Sequence, residues 1–258
     1  MRLVASDLDG TLLRNDKTWS KFTSDVIAEV SQEHRFVAVT GRPPRLVRLL
    51  DPYAQLGKLV VCTNGSLVID TTTDTVTLDE RISSGDLATI LREIRSQAPT
   101  ARFIVETAEG QRRPVDASPA SDAELISFGA NKLLVLSEDN IGKLTQVVFA
   151  ATTGIAEPTR SQDAFVEVGP LGVTKASTLA SLSRDWGVTQ SNTIAYGDMP
   201  NDLATIKWAG LGVAVGNAHP SLKDAANIVL DLTNEDDAVA THLVSELGLS
   251  TPGRPVLH

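Results

Sequence analysis

The first residues of the chain place two acidic side chains directly after an apolar segment. In the stretch "VASDLDGTLL", residues 4–13, Asp7 and Asp9 are separated by one leucine and followed by Gly10 and Thr11. Two carboxylates this close repel each other, and both are costly to remove from water. Carboxylates bind hard metal ions, attack as nucleophiles and transfer protons. Glycine gives the backbone freedom to turn at this point.

Other apolar segments of the chain also end in polar residues. They are Thr40, Gly41 and Arg42 at the end of "FVAVT", Asn64 after "KLVVCT", and Asp198, Asn201 and Asp202 in "GDMPND". Ligands of an open parallel sheet bind at the carboxyl ends of its strands. We therefore expect these side chains to face the same crevice as Asp7 and Asp9.

Lys175 lies where a cation is mildly unfavourable. It falls in the first turn of a helix predicted to begin near Thr174, where the helix dipole disfavours a positive charge by about 0.3–1 kcal/mol. The placement is explained if the ammonium group reaches an anion.

The aspartates of these segments predict a metal site. Asp7, Asp9, Asp198 and Asp202 would repel one another strongly without a cation among them, and Mg²⁺ is a hard cation that takes carboxylate, phosphate and water oxygens. With Mg²⁺ and Lys175 present, a phosphate dianion can enter the acidic pocket. One carboxylate can then attack phosphorus, and its neighbour two residues on can protonate the leaving oxygen.

Four motifs together resemble the haloacid dehalogenase superfamily of phosphohydrolases, and within it the Cof-type subgroup with an α+β cap. They are "DLDGT" (7–11), "TGR" (40–42), Lys175 in "GVTK" and "GDMPND" (197–202). Their order and their positions at strand or helix ends argue against coincidence.

The resemblance implies the catalytic roles. Asp7 would be the nucleophile that forms an aspartyl-phosphate, and also a Mg²⁺ ligand. Asp9 would act as general acid and then as general base, with its backbone carbonyl on the metal. Thr40 would hydrogen-bond the transferring phosphoryl group, while Lys175 would neutralise it and steady Asp7.

The resemblance also implies the remaining metal and substrate contacts. Asp198 would ligate Mg²⁺, and Asp202 would support the metal and Lys175. Asn201 would contact the phosphate or its immediate surroundings. The predicted substrate-binding residues are Thr11, Gly41, Arg42, Asn64 and Asn201.

The elements that must position these residues alternate between strand and helix. Continuous apolar runs of this kind suit strands that are covered on both faces; they cover residues 2–6, 36–40, 58–63, 192–197 and 212–216. Val26, Ile27 and Val30 form one stripe of a helix between the first two runs. The pattern predicts an α/β fold with a doubly wound parallel sheet, the Rossmann-like core that the resemblance also implies.

The middle of the chain follows a different pattern, which predicts a small inserted α+β domain. A hairpin is predicted over 66–79, helices over 85–97 and near 139–150, and strands over 101–107, 131–138 and 164–169. An exposed Pro- and Ser-rich loop is predicted over 109–122. We assign 1–80 and 167–258 to the catalytic core and 81–166 to the cap.

The composition of the chain restricts the kinds of partner that we expect the protein to bind. The chain has 258 residues, a net charge of −9 and one cysteine, Cys62. The negative charge argues against nucleic acid as a partner. No apolar run approaches the roughly 20 residues of a membrane-spanning helix, and the first ten residues leave no room for a signal peptide. We expect a cytoplasmic protein with no membrane partner; its oligomeric state is not predicted.

The predicted function is Mg²⁺-dependent hydrolysis of a small phosphorylated metabolite, such as a sugar phosphate. Two alternatives remain open: a phosphotransferase or phosphomutase that uses the same aspartyl-phosphate, and a non-catalytic phosphate-binding regulatory protein. Single residues also have simpler explanations. Asp202 in a first helical turn suits the dipole, Thr40 could cap a strand, and Lys175 could be a solvated surface residue.

Overall fold

The protein is described here by a computed structural model that covers residues 1–51, 53–112, 123, 125–136, 141–159 and 164–250. The predicted loop 109–122 lies largely outside these residues, as do the end of the strand predicted over 131–138 and the start of the helix predicted near 139–150.

The described residues form helices and strands in an alternating order at both ends of the chain. In chain order they are β1 (Leu3–Ser6), α1 (Lys21–Glu33), β2 (Arg35–Val39), α2 (Pro44–Val47), β3 (Leu59–Cys62), β4 (Leu67–Asp70), β5 (Thr75–Asp79), α3 (Ser84–Gln97), β6 (Arg102–Thr107), β7 (Gly110–Arg112), β8 (Lys132–Leu136), α4 (Ile141–Thr152), β9 (Ala156–Thr159), β10 (Phe165–Pro170), α5 (Lys175–Asp185), β11 (Thr193–Gly197), α6 (Leu203–Trp208), β12 (Leu211–Ala214), α7 (Pro220–Lys223), β13 (Ile228–Val229) and α8 (Ala238–Leu247).

The larger sheet contains eight strands of the described residues, in the order β13-β12-β11-β1-β2-β3-β4-β5. The strands from β13 to β3 are parallel, and the predicted hairpin β4–β5 extends the sheet with antiparallel pairs. β1 lies between β11 and β2, so the three segments that carry most of the predicted site residues are neighbours. The predicted α/β fold with a parallel sheet is confirmed.

Both faces of this sheet are buried, which explains the continuous apolar runs of its strands. Leu3 and Ala5 of β1 pack with Leu179 of α5 on one face. Val4 packs on the other face with Val26 of α1. Side chains alternate across a strand, so a strand covered by helices on both sides must be apolar at every position.

A second sheet of five strands lies in the middle of the chain, in the order β7-β6-β8-β10-β9. Its pairs are antiparallel. One face packs on α3 and α4 around a separate apolar cluster that includes Leu87, Phe103 and Val148. We call this sheet with α3 and α4 the cap, and the larger sheet with its other helices the core.

The pairing of β10 moves one predicted boundary. The sequence places the end of the cap at residue 166, whereas β10 runs to Pro170 and pairs with β9 up to that residue. Residues 167–170 therefore belong to the second sheet. The apolar alternation of "AFVEVG" marks a strand but not which sheet receives it, because partner choice is set by tertiary packing.

Three strands and three helices of the described residues were not predicted: β7, β9 and β13, and α2, α7 and α8. β9, "AEPT", and the two-residue β13 are too short for a period-2 pattern to be recognised. No helix within the described ranges is both long and apolar enough to span a membrane.

Candidate active site

The polar residues after β1, β2 and β11 come together because these strands are adjacent and parallel. Ser6, the last residue of β1, lies beside Ala38 of β2 and Tyr196 of β11. The next residue, Asp7, donates its backbone N–H to the Tyr196 carbonyl at 3.0 Å. Asp198 directly follows β11, and Thr40 directly follows β2. The predicted convergence at the carboxyl ends of the strands is present.

Three of the predicted aspartates form a buried cluster around one lysine. Oxygen atoms of Asp7, Asp198 and Asp202 lie within 4.8 Å of one another. The ammonium group of Lys175 lies 2.5 Å from Asp7 Oδ1 and 2.7 Å from Asp202 Oδ1, and its side chain is 1 % exposed. The reading of Lys175 as a solvated surface residue is therefore wrong.

The electrostatics of the cluster reflect burial and like charge. Burial raises the pKa of Asp7 well above its ordinary value; Asp202 and Asp198 add to the rise, while Lys175 opposes it. Burial, followed by the charge of Asp202, raises the pKa of Asp198 to about 7. The pKa of Lys175 also rises: burial opposes the charged form, but the carboxylates of Asp202 and Asp7 outweigh that effect. The cluster carries more negative than positive groups.

Asp202 is also fixed by the turn in which it lies. Its Oδ2 accepts the backbone N–H groups of Asp198, at 3.2 Å, and Met199, at 3.1 Å. The other oxygen of Asp202 faces Lys175, so the carboxylate ties the turn after β11 to α5. The dipole explanation alone does not account for this arrangement.

Gly10 lets the backbone after Asp9 approach Asp198. Its φ is +80°, and a Cβ atom there would lie 2.4 Å from Asp198 Oδ2. Next to it, Thr11 Oγ1 donates a hydrogen bond to Asp198 Oδ1 at 3.0 Å. The "DGT" segment thus leaves space for one Asp198 oxygen and orients the other.

The side chain of Asp9 lies apart from the carboxylate cluster. Arg42 Nε and Nη2 bind its two oxygens at 2.5 and 2.6 Å, and Lys17 Nζ lies 2.9 Å from Oδ1. The carboxylate of Asp9 is not among the clustered metal-ligand atoms, which leaves the metal contact predicted for Asp9 to its backbone carbonyl.

The N-terminus of α5 carries Lys175 into the site. Thr174 caps the helix by accepting the N–H of Ser177. Gly65, with φ +115°, allows the loop after β3 to touch this end, because a Cβ there would lie 2.4 Å from the Thr174 carbonyl oxygen. The Thr178 hydroxyl completes the contact by donating to the Gly65 carbonyl at 2.8 Å.

The loop after β2 and the loop after β3 are hydrogen-bonded to each other. Thr40 Oγ1 accepts the N–H of Arg42 at 3.0 Å, and the N–H of Asn64 donates to the Thr40 carbonyl at 3.0 Å. Asn64 Oδ1 accepts from Asn201 Nδ2 at 3.3 Å. Buried Asn201 Oδ1 has no hydrogen-bond partner among the described residues.

A cleft of about 570 Å³ is lined by residues of these core loops on one side and by residues of the cap on the other. Of the predicted site residues, it is lined by Asp7, Asp9, Thr40, Gly41, Arg42, Asp198 and Asn201. The other four predicted residues do not line the cleft but hydrogen-bond residues that do: Thr11, Asn64, Lys175 and Asp202. Direct contact of Thr11 and Asn64 with substrate stays a prediction.

The cleft also has lining residues that the sequence analysis did not single out: Lys17, Pro43, Arg45, Leu46 and Met199 from the core, and Glu106, Gln111, Lys132, Leu134, Phe165 and Glu167 from the cap. Arg45 pairs with Glu106 at 2.7 Å across the cleft. A charged residue at the start of an apolar strand, as in "NKLLVL", or inside one, as in "AFVEVG", is the signal that marks Lys132 and Glu167.

Residues 4–243 match the family model described as haloacid dehalogenase-like hydrolase. The chain belongs to this family. The family predicted from the four motifs is thus confirmed, and the match runs through the cap as well as the core.

Similar proteins agree with membership of this hydrolase family. A 5-amino-6-(5-phospho-D-ribitylamino)uracil phosphatase of Bacillus subtilis is 31 % identical over 93 % of both chains. A pyridoxal phosphate phosphatase of Escherichia coli is 27 % identical over 95 % of this chain and 98 % of its own. The predicted enzyme class, a phosphoric monoester hydrolase, is the class these relatives are named for.

The fold of this hydrolase also matches solved structures. A haloacid dehalogenase-like hydrolase from Bacteroides thetaiotaomicron superposes with a TM-score of 0.75 at 26 % identity, covering 95 % of this chain and 99 % of its own. The similarity over nearly the whole of both chains includes the region between the two core segments.

Proposed function

We propose that this hydrolase is a Mg²⁺-dependent phosphatase that cleaves a small phosphorylated metabolite through an aspartyl-phosphate on Asp7. The observation that carries the proposal is the buried cluster of Asp7, Asp198 and Asp202 against the Lys175 ammonium group. Asp7 and Asp198 of this cluster line a cleft that the cap also lines. The two relatives named for phosphorylated metabolites support the substrate class.

The chemistry of the cluster fits Mg²⁺. Its donors are carboxylate oxygens, which suit a hard cation. Lys175 balances only part of the negative charge, and the raised pKa values of Asp7 and Asp198 follow from burial and from that excess. Asp7, Asp198 and the Asp9 carbonyl would hold the ion, with Asp202 in support. When bound, Mg²⁺ supplies positive charge that stabilises the anionic phosphoryl group.

Asp7 starts the proposed reaction. One of its carboxylate oxygens attacks phosphorus and forms a new O–P bond, while the bond from phosphorus to the leaving oxygen breaks. Lys175 binds the other side of the same carboxylate and orients it. Thr40 lines the cleft beside Asp7 and would bond the phosphoryl oxygens.

Asp9 acts as general acid and then as general base in the proposed reaction. In the first step it gives a proton to the leaving oxygen, and in the second it takes one from the water that attacks phosphorus. The O–P bond to Asp7 then breaks, which regenerates its carboxylate and releases inorganic phosphate.

We assign different roles in the reaction to the core and to the cap. The core would hold the phosphoryl group, while the cap, which supplies Glu106, Leu134 and Phe165 to the cleft, would exclude water and contact the leaving group. The cap assignment of residues 81–166, extended to 170 by the pairing of β10, is part of this proposal.

The test is phosphate release from p-nitrophenyl phosphate and from a panel of sugar phosphates, with and without Mg²⁺. We expect Mg²⁺-dependent release from at least part of the panel. No release from any of them would contradict the proposal. Incubating one sugar phosphate with a second, unphosphorylated sugar separates hydrolysis from transfer, because a phosphotransferase would yield a new sugar phosphate in place of inorganic phosphate.

A further inference from the structure

The cap carries a buried ion pair that lies outside all four motifs. Lys132 begins β8 and Glu167 lies in β10, and the Lys132 Nζ atom is 2.5 Å from Glu167 Oε1. Each side chain is 5 % exposed. Burying two charges is costly, and a buried ion pair often stabilises a fold no better than apolar side chains of similar size. Stability alone is therefore a weak explanation for this pair.

Both members of the pair also bind the core. Lys132 Nζ donates a second hydrogen bond, to the Gly41 carbonyl at 2.5 Å. Glu167 Oε2 accepts from Asn64 Nδ2 at 3.2 Å. Gly41 directly follows Thr40, and the backbone N–H of Asn64 is bonded to the Thr40 carbonyl. The pair therefore holds the two loops that enclose Thr40.

The same contacts continue to the turn that carries the clustered aspartates. The Asn64 side chain, held by Glu167, accepts from Asn201. Asn201 lies in the turn between Asp198 and Asp202 and lines the cleft. Gly41 is also confined there, since a Cβ atom would lie 3.1 Å from Asn64 Oδ1. A side-chain rearrangement at the pair would thus reach both loops.

We propose that Lys132 and Glu167 are positioning residues that couple the seating of the cap to the geometry of the phosphoryl site. With the cap against the core, Lys132 fixes the Gly41 carbonyl and Glu167 fixes the Asn64 amide. Thr40 and Asn201 are then held where the phosphoryl group binds. The inference rests on the proposed function and adds two residues that act on the phosphoryl site from the cap.

This role differs from recognition of the leaving group, although both residues line the cleft. A positioning role acts on the phosphoryl group, which all substrates share, so its loss lowers the turnover of every substrate by a similar factor. A leaving-group contact would instead affect substrates selectively. A purely structural role would affect turnover only as far as the fold is weakened.

The test compares single variants with a double variant. Lys132→Met or Glu167→Leu alone leaves an unpaired buried charge, so we expect a lower melting temperature in each. Lys132→Met combined with Glu167→Leu removes both charges and should recover most of the melting temperature. We expect kcat of this double variant to stay about 10- to 100-fold below wild type, for p-nitrophenyl phosphate and an alkyl phosphate alike.

The matched control removes an exposed ion pair of the cap that is not among the residues lining the cleft. Arg92 and Glu93 lie on the exposed side of α3, 3.9 Å apart, and Arg92→Met with Glu93→Leu should leave kcat unchanged. Recovery of wild-type kcat by the Lys132/Glu167 double variant would overturn the proposal. A loss confined to one of the two substrates would also overturn it.

A second measurement does not depend on turnover. Hydrogen exchange of the Arg42 and Asn64 amides, which bond to Thr40, should be faster in the Lys132/Glu167 double variant and unchanged in the Arg92/Glu93 control. Unchanged exchange in both would refute the positioning role. If wild type releases no phosphate from any substrate, the proposed function fails, while the exchange result still decides whether the pair holds these loops.

Discussion

Arg42 binds the carboxylate of Asp9 at two points, with Nε on one oxygen and Nη2 on the other. Burial alone would raise the pKa of Asp9, but hydrogen bonds and charge from Arg42 and Lys17 lower it below its ordinary value. Asp9 is therefore ionised in this arrangement. To protonate a leaving oxygen it must first part from Arg42 and take up a proton from water. Arg42 also lines the cleft and so lies within reach of an entering phosphate.

Asp9→Asn should separate good leaving groups from poor ones. An alkyl alkoxide leaves only with a proton, so the first turnover of an alkyl phosphate should slow by about 100- to 10,000-fold. p-Nitrophenolate leaves without a proton, so the variant should still release about one p-nitrophenol per protein in a rapid burst before slow turnover. Stopped-flow absorbance and quenched-flow phosphate assays measure both. Equal slowing of the first turnover for the two substrates would exclude Asp9 as the leaving-group acid.

Asp7→Asn should abolish turnover and leave the fold intact. Asparagine keeps the shape of the side chain but removes the nucleophile. Neither a burst of p-nitrophenol nor steady release of phosphate should therefore be detectable. Lys175 keeps its contact with Asp202, and the loss of one carboxylate relieves repulsion within the cluster. The melting temperature should therefore stay at or near that of wild type. Activity near that of wild type in a folded variant would mean that another residue attacks phosphorus.

Gly10→Ala should weaken metal binding as well as the fold. The added Cβ would collide with Asp198 Oδ2 at 2.4 Å, and alanine is strained at φ +80°. We expect a higher Mg²⁺ concentration for half-maximal activity and a stability loss of about 1–3 kcal/mol.

Gly154→Ala is the matched control for Gly10→Ala. Its φ is +76°, and a Cβ atom there meets nothing within 4 Å, so it carries the backbone strain without the collision. Urea unfolding should show a stability loss in both variants, while the Mg²⁺ titration should change only for Gly10→Ala. A similar change in the Mg²⁺ titration of Gly154→Ala would show that lost stability, rather than the collision with Asp198, weakens metal binding in Gly10→Ala.

His242 should make the fold less stable in mild acid. It hydrogen-bonds Tyr196 through Nδ1 at 2.8 Å, and burial lowers its pKa, with Glu246 opposing. Below the ordinary histidine pKa of about 6.5, the unfolded chain binds a proton that the folded chain resists, so this contribution to stability falls as pH falls. His242→Gln should lose less stability than wild type between pH 7 and pH 5 by urea unfolding. An equal loss in the two proteins would show that His242 is not responsible.

The sequence alone determined the fold class and predicted which residues lie at the carboxyl ends of the core strands. Apolar runs without alternation required a sheet covered on both faces, and the polar residue after each run had to lie at the carboxyl edge of a parallel sheet. Asp7, Thr40 and Asp198 were predictable for this reason, since a strand end is a local property of the chain. The position of Lys175 at a helix start was local in the same way.

Only the tertiary structure decided which groups pair. The sequence shows Asp7 and Asp9 as equivalent neighbours, yet one carboxylate joins the buried cluster and the other binds Arg42. Lys132 and Glu167 are 35 residues apart, and no local pattern joins them. Alternation along a strand tells which face a side chain takes, whereas its partner depends on strand order and on how the cap sits against the core.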